Sequence, residues 1–471
     1  MRIRTIHLAV LGATMGLAFG FPLDSRAYPV NASQKTGILR LEAYDVASRG
    51  EERGKVIPLG ALLPEEKIRL RLVDQPSFAL PNPDADLTNA LRAFLAGDAS
   101  RYGVALLDMS DPARPRYAEI NGSLTQNPGS VGKIMIALAM FQKLADVYPT
   151  DLDARRRVLR ETRVVADDFI RSDSHLVPFY TPVQGDVAGD LGHRAVIEGD
   201  AANLWTWLDW MLSASSNAAA SVVMREMLLL ARFGVDYPVD GAIAAKFFAT
   251  TPKAELSRLL SETMDGAARR NGINTAGLRQ GAFFTRAGKE KVPGGYSVST
   301  ARELMHYIVL MEQGKLIDSF SSLEIKKLLY LTEPRLRYSA APELDNSAVY
   351  FKSGSLYSCQ PEKGYVCEKY LGNRWNFMNS MAVVEGFAYA PQIDYAVVVL
   401  SNVLKKNSVD VHRQLAGEIH RFIVSFYGAK LVPAVLAPPP PATATTPVVA
   451  PRPVPEPVRA PTPAARRAVR R

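Results

Sequence analysis

The sequence predicts an α+β fold in which both ends of one domain build a sheet and a helical subdomain fills the middle. Three observations carry this. Short β-branched or alternating runs gather near 102–122 and again near 347–402. Between them, over roughly 134–345, the apolar spacing is mostly helical. An amphipathic stretch, VHRQLAGEIHRFIVSFY (411–427), follows the last strand pattern. With 471 residues, 47% hydrophobic and 22% charged, the chain is long enough for a large core.

In chain order, MRIRTIH followed by LAVLGATMGLAFGFPL and Ser25-Arg26-Ala27 reads as a cleaved export signal over 1–27. Residues 28–80 form an extension in which ILRLEAYDV and KIRLRLVD are candidate strands. Asp84 to Leu95, with LTNALRAFL, suggests a helix. YGVALLDMS (102–110) and RYAEING (116–122) read as strands joined by a DPARP turn. NLWTWLDWML (203–212), AAASVVMREMLLLARF (218–233) and STARELMHYIVLMEQG (299–314) are helices. In the last, Thr300 and Glu303 make a capping box and Gly314 a stop. SAVYFKSGS (347–355), MNSMAVVEGFAY (378–389) and DYAVVVLSN (394–402) return to strands. The Pro/Ala/Arg-rich stretch 431–471 lacks the apolar content for a core and is expected to be a disordered tail.

The net charge of +9 is concentrated at the ends, since the tail from Val432 holds six arginines against Glu456. The folded part is near neutral, which argues against a nucleic-acid groove. The tail arginines suit an anionic envelope surface. Export makes a Cys359–Cys367 disulfide the expectation, and no metal or other cofactor is expected.

Residues 127–138, NPGSVGKIMIAL, open a helix with Gly, Ser and Lys. A phosphate loop is excluded by spacing, because Asn127 stands where its first Gly belongs and Ile134 where its hydroxyl belongs. Ser130 and Lys133, three residues apart on one helical face, suit a serine nucleophile and its base. Two further polar sets are candidates to complete a site. Ser215-Ser216-Asn217 sits at a helix junction, and Lys352-Ser353-Gly354 sits on a strand where Gly354 lets a substrate backbone approach. A second match to the strand pattern, Lys35-Thr36-Gly37, precedes the other motifs and is rejected on order. Each signal alone also has a plain reading. Ser130 could be a helix cap, Lys352 an edge charge, Trp205, Trp207 and Trp210 core packing, and His412 and His420 ordinary helix residues.

The order SxxK, SxN, KSG resembles the penicillin-recognising serine enzymes, the class A-like β-lactamases and D-alanyl-D-alanine peptidases. The resemblance covers about 81–430 as a catalytic domain. It implies an α/β (α+β), β-lactamase/transpeptidase-like fold, with an antiparallel sheet flanked by N- and C-terminal helices plus an all-helical subdomain. It implies Ser130 as acylated nucleophile, Lys133 as its activator, and Ser215 and Asn217 for proton transfer and substrate holding. Lys352, Ser353 and Gly354 would bind a carboxylate, and the N–H groups of Ser130 and Ser355 would form the oxyanion hole. The implied activity is exported serine hydrolysis of β-lactams or related D-Ala amides. The alternatives are a D-alanyl-D-alanine carboxypeptidase or endopeptidase acting on peptidoglycan stem peptides, and a non-hydrolysing penicillin-binding module. The chain departs from the pattern at Ser216, where many β-lactamases carry Asp, and at Ser353, where Thr is commoner. The Glu-x-x-Leu-Asn loop of class A enzymes is missing from 270–298, leaving Glu255, Glu262 and Glu290 as candidate bases for deacylation.

Overall fold

A computed structural model describes residues 32–42, 59–61, 63–171, 173–181, 190–332 and 335–432. The expected signal over 1–27 and the tail beyond Val432 lie outside the described residues.

Helix α1 (Ala85–Leu95) is capped by Asp84, which accepts a hydrogen bond from the Leu87 N–H, and it buries Leu87, Leu91 and Leu95 as one stripe. Strands β1 (Tyr102–Asp108) and β2 (Arg116–Ile120) follow as the alternation predicts. Then come α2 (Lys133–Val147), α3 (Leu204–Leu212), α4 (Asn217–Phe233), α5 (Lys253–Arg270), α6 (Ala301–Glu312) and α7 (Ser319–Tyr330). The late strands are β3 (Ala348–Ser358), β4 (Trp375–Gly386) and β5 (Ile393–Asn402), and α8 (Ser408–Phe426) comes next.

The sheet runs β2-β1-β5-β4-β3, with every neighbouring pair antiparallel. The two ends of the domain therefore meet where β1 lies beside β5, with Leu107 opposite Ala396. Alternation sends Ala105, Leu107, Tyr350 and Val398 to the core shared with the helical subdomain. It sends Val104, Leu106, Phe351 and Val397 to the other face, against α1 and α8. The helical subdomain also carries two-stranded ribbons, Leu176–Thr181 with Asp190–Ala195 and Arg163–Val165 with Ala201–Asn203.

Among the described residues neither candidate strand of the extension pairs as one. In 38–46, Ile38 and Leu39 lead into a helical turn at 40–42, and 43–46 lie outside the described residues. In 67–74 the backbone leaves a 3₁₀ turn, Glu65–Lys67, and stays irregular. Its polar groups are taken by helices instead. Leu72 N–H donates to the Glu312 carbonyl, Arg71 N–H to the Glu312 carboxylate, and Lys326 Nζ to the Arg69 carbonyl. At the start of α6 only half of the expected capping box forms. Thr300 accepts from the Glu303 N–H, while the Glu303 carboxylate accepts from the Asn274 N–H.

Candidate active site

Ser130 lies in a 3₁₀ turn, Gly129–Gly132, that runs directly into α2 at Lys133. A 3₁₀ turn eclipses side chains three residues apart. Ser130 Oγ and Lys133 Nζ accordingly meet at 2.9 Å. Lys133 is fully buried. Its Nζ also reaches the Ser215 carbonyl at 2.6 Å and Asn217 Oδ1 at 2.8 Å, and it sits 4.5 Å from the centre of the Phe284 ring. Burial lowers the Lys133 ammonium to about 7, with nearby Asp173 opposing the shift and Arg337 adding to it.

The SxN junction is held from two sides. Ser215 takes a left-handed conformation (φ 63°), which turns its carbonyl to Lys133 and its hydroxyl to Lys352 Nζ at 2.8 Å. Ser216 caps α4 and donates its hydroxyl to Asp173 Oδ2 at 2.6 Å. The same oxygen accepts from the Ala218 N–H at 2.9 Å. Asp173 therefore brings a carboxylate to the middle of the SxN motif from a distant loop. Burial would raise this carboxyl, but hydrogen bonds from His175, the Ala218 N–H and Ser216 outweigh that and hold it far below the usual range.

On β3 the pleat separates the third motif. Lys352 and Gly354 face α2, while Ser353 and Ser355 face the opposite side, where Arg337 lies. A Cβ on Gly354 would stand 2.5 Å from both the Pro128 carbonyl oxygen and the Ser130 nitrogen. Gly354 thus admits the protein's own nucleophile turn, which is a closer constraint than the substrate backbone expected from sequence. Gly129, at φ 51°, lies in the same contact, its Cβ direction meeting Ser355 N at 3.3 Å. The amides of Ser130 and Ser355 are in this way brought side by side. Lys352 donates to Ser215 Oγ and to the Ser353 carbonyl, and burial, Lys133 and Arg337 push it well below the ordinary lysine value.

All three motifs line one cavity of about 580 Å³, together with Leu212, His175, Arg337, Tyr357, Lys369 and Tyr370. No Asp or Glu is among the described lining residues. The three candidate bases are elsewhere. Glu255 is exposed on α5, Glu262 pairs with Arg258, and Glu290 pairs with Arg286 on the surface. Lys35-Thr36-Gly37 packs near Asn203, away from the cavity. Sequence reasoning missed Arg337, whose guanidinium donates to Ser353 Oγ (2.8 Å), Ser355 Oγ (3.0 Å) and Tyr370 Oη (3.3 Å). It also missed Asp173, His175 and Phe284. None of these has a fixed spacing from a motif, so only their polarity or bulk marked them. Cys359 and Cys367 are bridged, closing a loop in the β3–β4 connection, with their Cα atoms 6.0 Å apart. Among the described residues no group of three or more His, Cys, Asp or Glu is placed to hold a metal.

A sequence profile of the beta-lactamase enzyme family matches residues 86–371, which include the SxxK, SxN and KSG residues. No curated protein sequence matches the chain. Among solved structures, PBP-A is similar at 12% identity and TM-score 0.44, covering 74% of this chain and 100% of its own. A beta-lactamase from Chitinophaga pinensis DSM 2588 is similar at 15% identity and TM-score 0.42, covering 73% and 98%. The TLA-3 extended-spectrum beta-lactamase is similar at 15% identity and TM-score 0.43, covering 72% and 98%. The family match spans more than half of the chain, and the protein belongs to the beta-lactamase enzyme family.

Proposed function

We propose that this serine β-lactamase-like hydrolase is exported and acts through an acyl-enzyme on Ser130, taking β-lactams or related D-Ala-containing amides. The observation that carries the reading is the set of partners around Lys133. A neutral amine has two N–H donors and one lone pair. The Ser215 carbonyl and Asn217 Oδ1 can only accept, so they take the two N–H groups. The lone pair is left to Ser130, whose hydroxyl is the one partner able to donate to it. Burial favours the neutral form near pH 7.

In this mechanism Ser130 Oγ bonds to the amide carbonyl carbon as its proton passes to Lys133. The N–H groups of Ser130 and Ser355 hold the oxyanion, typically contributing a few kcal/mol per donor. The C–N bond then breaks, and a proton reaches the leaving nitrogen through the Ser215 hydroxyl, which Lys352 orients. The substrate carboxylate lies against Lys352, Ser353 and Arg337. Water must next hydrolyse the ester, and here the site is poorly equipped. Among the described residues no carboxylate lines the cavity, and the Phe284 ring covers the Lys133 amine. Lack of a general base costs roughly 10²–10⁴-fold in rate, about 3–5 kcal/mol. That favours slow turnover, and it keeps a penicillin-binding module or a D-alanyl-D-alanine peptidase as the second reading. The arginines of the tail would hold the protein near anionic envelope surfaces.

Labelling with a fluorescent penicillin tests the assignment. Wild type should be labelled and Ser130→Ala should not. Labelling that survives in Ser130→Ala would move the nucleophile elsewhere.

A further inference from the structure

Two cations flank one ring at the cavity wall. The Arg337 guanidinium carbon lies 5.4 Å from the centre of Tyr370, and Lys369 Nζ lies 5.1 Å from it. Arg337 is held by three neutral hydroxyls, those of Ser353, Ser355 and Tyr370. Lys369 is exposed, and like Arg337 it lines the cavity. The described lining has no carboxylate to balance them. Burial alone would raise the Tyr370 phenol, but Arg337 and Lys369 outweigh it and lower it, a sign of the positive field at that ring.

The backbone holds this arrangement in place. Tyr370 takes a left-handed conformation (φ 69°), and its carbonyl accepts from the Ser408 N–H at the start of α8. The Leu371 N–H donates back to the Glu368 carbonyl, and the Cys359–Cys367 bridge closes the loop just before the turn. One substrate carboxylate, beside the scissile amide, accounts for Lys352, Ser353 and Arg337. Among the described residues it leaves Lys369 without an anionic partner in the cavity. Because Lys369 and Arg337 share the Tyr370 ring, a second anion held by Lys369 would lie close to the first, on the leaving group.

We propose that the site prefers acyl donors whose leaving group carries two carboxylates, the first held by Lys352, Ser353 and Arg337 and the second by Lys369 beside Tyr370. This rests on the acyl-enzyme reading above and adds a substrate class to it. Attraction to a second carboxylate in a half-open cavity is strong enough for about a tenfold preference at low salt.

The test is competition against labelling by a fluorescent penicillin, comparing N-acetyl-D-Ala-D-Ala with N-acetyl-D-Ala-D-Glu. The D-Glu peptide should protect at about tenfold lower concentration, and the advantage should shrink as salt is raised. Lys369→Gln should bring the ratio of the two peptides near one, and Lys369→Arg should keep it. Each ratio is taken within a single protein preparation, so partial loss of folded protein cancels. Equal protection by the two peptides in wild type, an advantage that survives in Lys369→Gln, or labelling that neither peptide slows would overturn the proposal. Absence of penicillin labelling in wild type is a separate result, and it would remove the acyl-enzyme reading as well.

Discussion

Lys133 shows how burial and geometry combine at a single residue. Its folded value lies near 7, well below that of a lysine in the unfolded chain. Between those values the unfolded state binds the extra proton, so stability attributable to Lys133 is gained as pH rises from about 7 toward 10. Lys133→Met removes the titrating group from a fully buried position. Its stability advantage over wild type should therefore be largest near pH 7 and shrink by up to about 1.4 kcal/mol per pH unit above it, as read from denaturant midpoints. Penicillin acylation by wild type should rise with pH, reach about half its maximum near 7 and level off above it. A flat profile would mean that Lys133 does not take the Ser130 proton. Gly354 makes a steric prediction. An alanine there must displace the Ser130 turn, so Gly354→Ala should cost about 1–3 kcal/mol and abolish labelling. Ser130 and Lys133 were legible in the sequence because one turn of chain sets their distance. Arg337 and Asp173 were not, because their partners Ser353 and Ser216 lie 16 and 43 residues away in sequence.

Elements were legible where one apolar pattern met one clear cap. Asp84 and Thr300 each fix a helix start, and the alternation of AVYFKSGS fixes which residues of β3 face α2. The pattern failed for 67–74, where alternating Ile, Leu and Arg look like a strand. The arginines and amides there satisfy α6 and its neighbours, and among the described residues no strand pairs with them. The β3–β4 connection is the element that most affects the site, because it places Tyr370 against Arg337. The Cys359–Cys367 bridge closes a short loop within it, for which chain entropy gives about 2–3 kcal/mol. Replacing both cysteines with alanine should lower thermal stability by about that amount. It should also slow acylation, because Arg337 loses a rigid neighbour. Unchanged acylation in a folded double variant would show that the loop does not support the site.

At the scale of the whole molecule, the segment before α1 is tied to the domain by buried charge. Arg40 donates twice to Asp209, both bonds 2.6 Å, with both side chains almost inaccessible. Lys326 joins Glu312 and Glu385, and Arg71 reaches Glu385 from the incoming segment. Removing one partner of a buried pair leaves the other charge uncompensated, so Asp209→Asn should cost about 3–5 kcal/mol. The double change Arg40→Met with Asp209→Leu should recover most of that loss, as chemical denaturation would read. The fold as a whole was legible because strands at both ends had to share one sheet around a helical middle. The deacylation base was not legible, because Glu255, Glu262 and Glu290 carry no spacing to a motif and the structure places all three away from the cavity. The central claim is that Ser130 is acylated quickly and released slowly. Time-resolved mass spectrometry of the intact protein with benzylpenicillin measures it directly. One penicilloyl adduct, mapped to Ser130, should accumulate and then decay slowly. Rapid hydrolysis of the drug with no accumulating adduct, or an adduct on another residue, would contradict it.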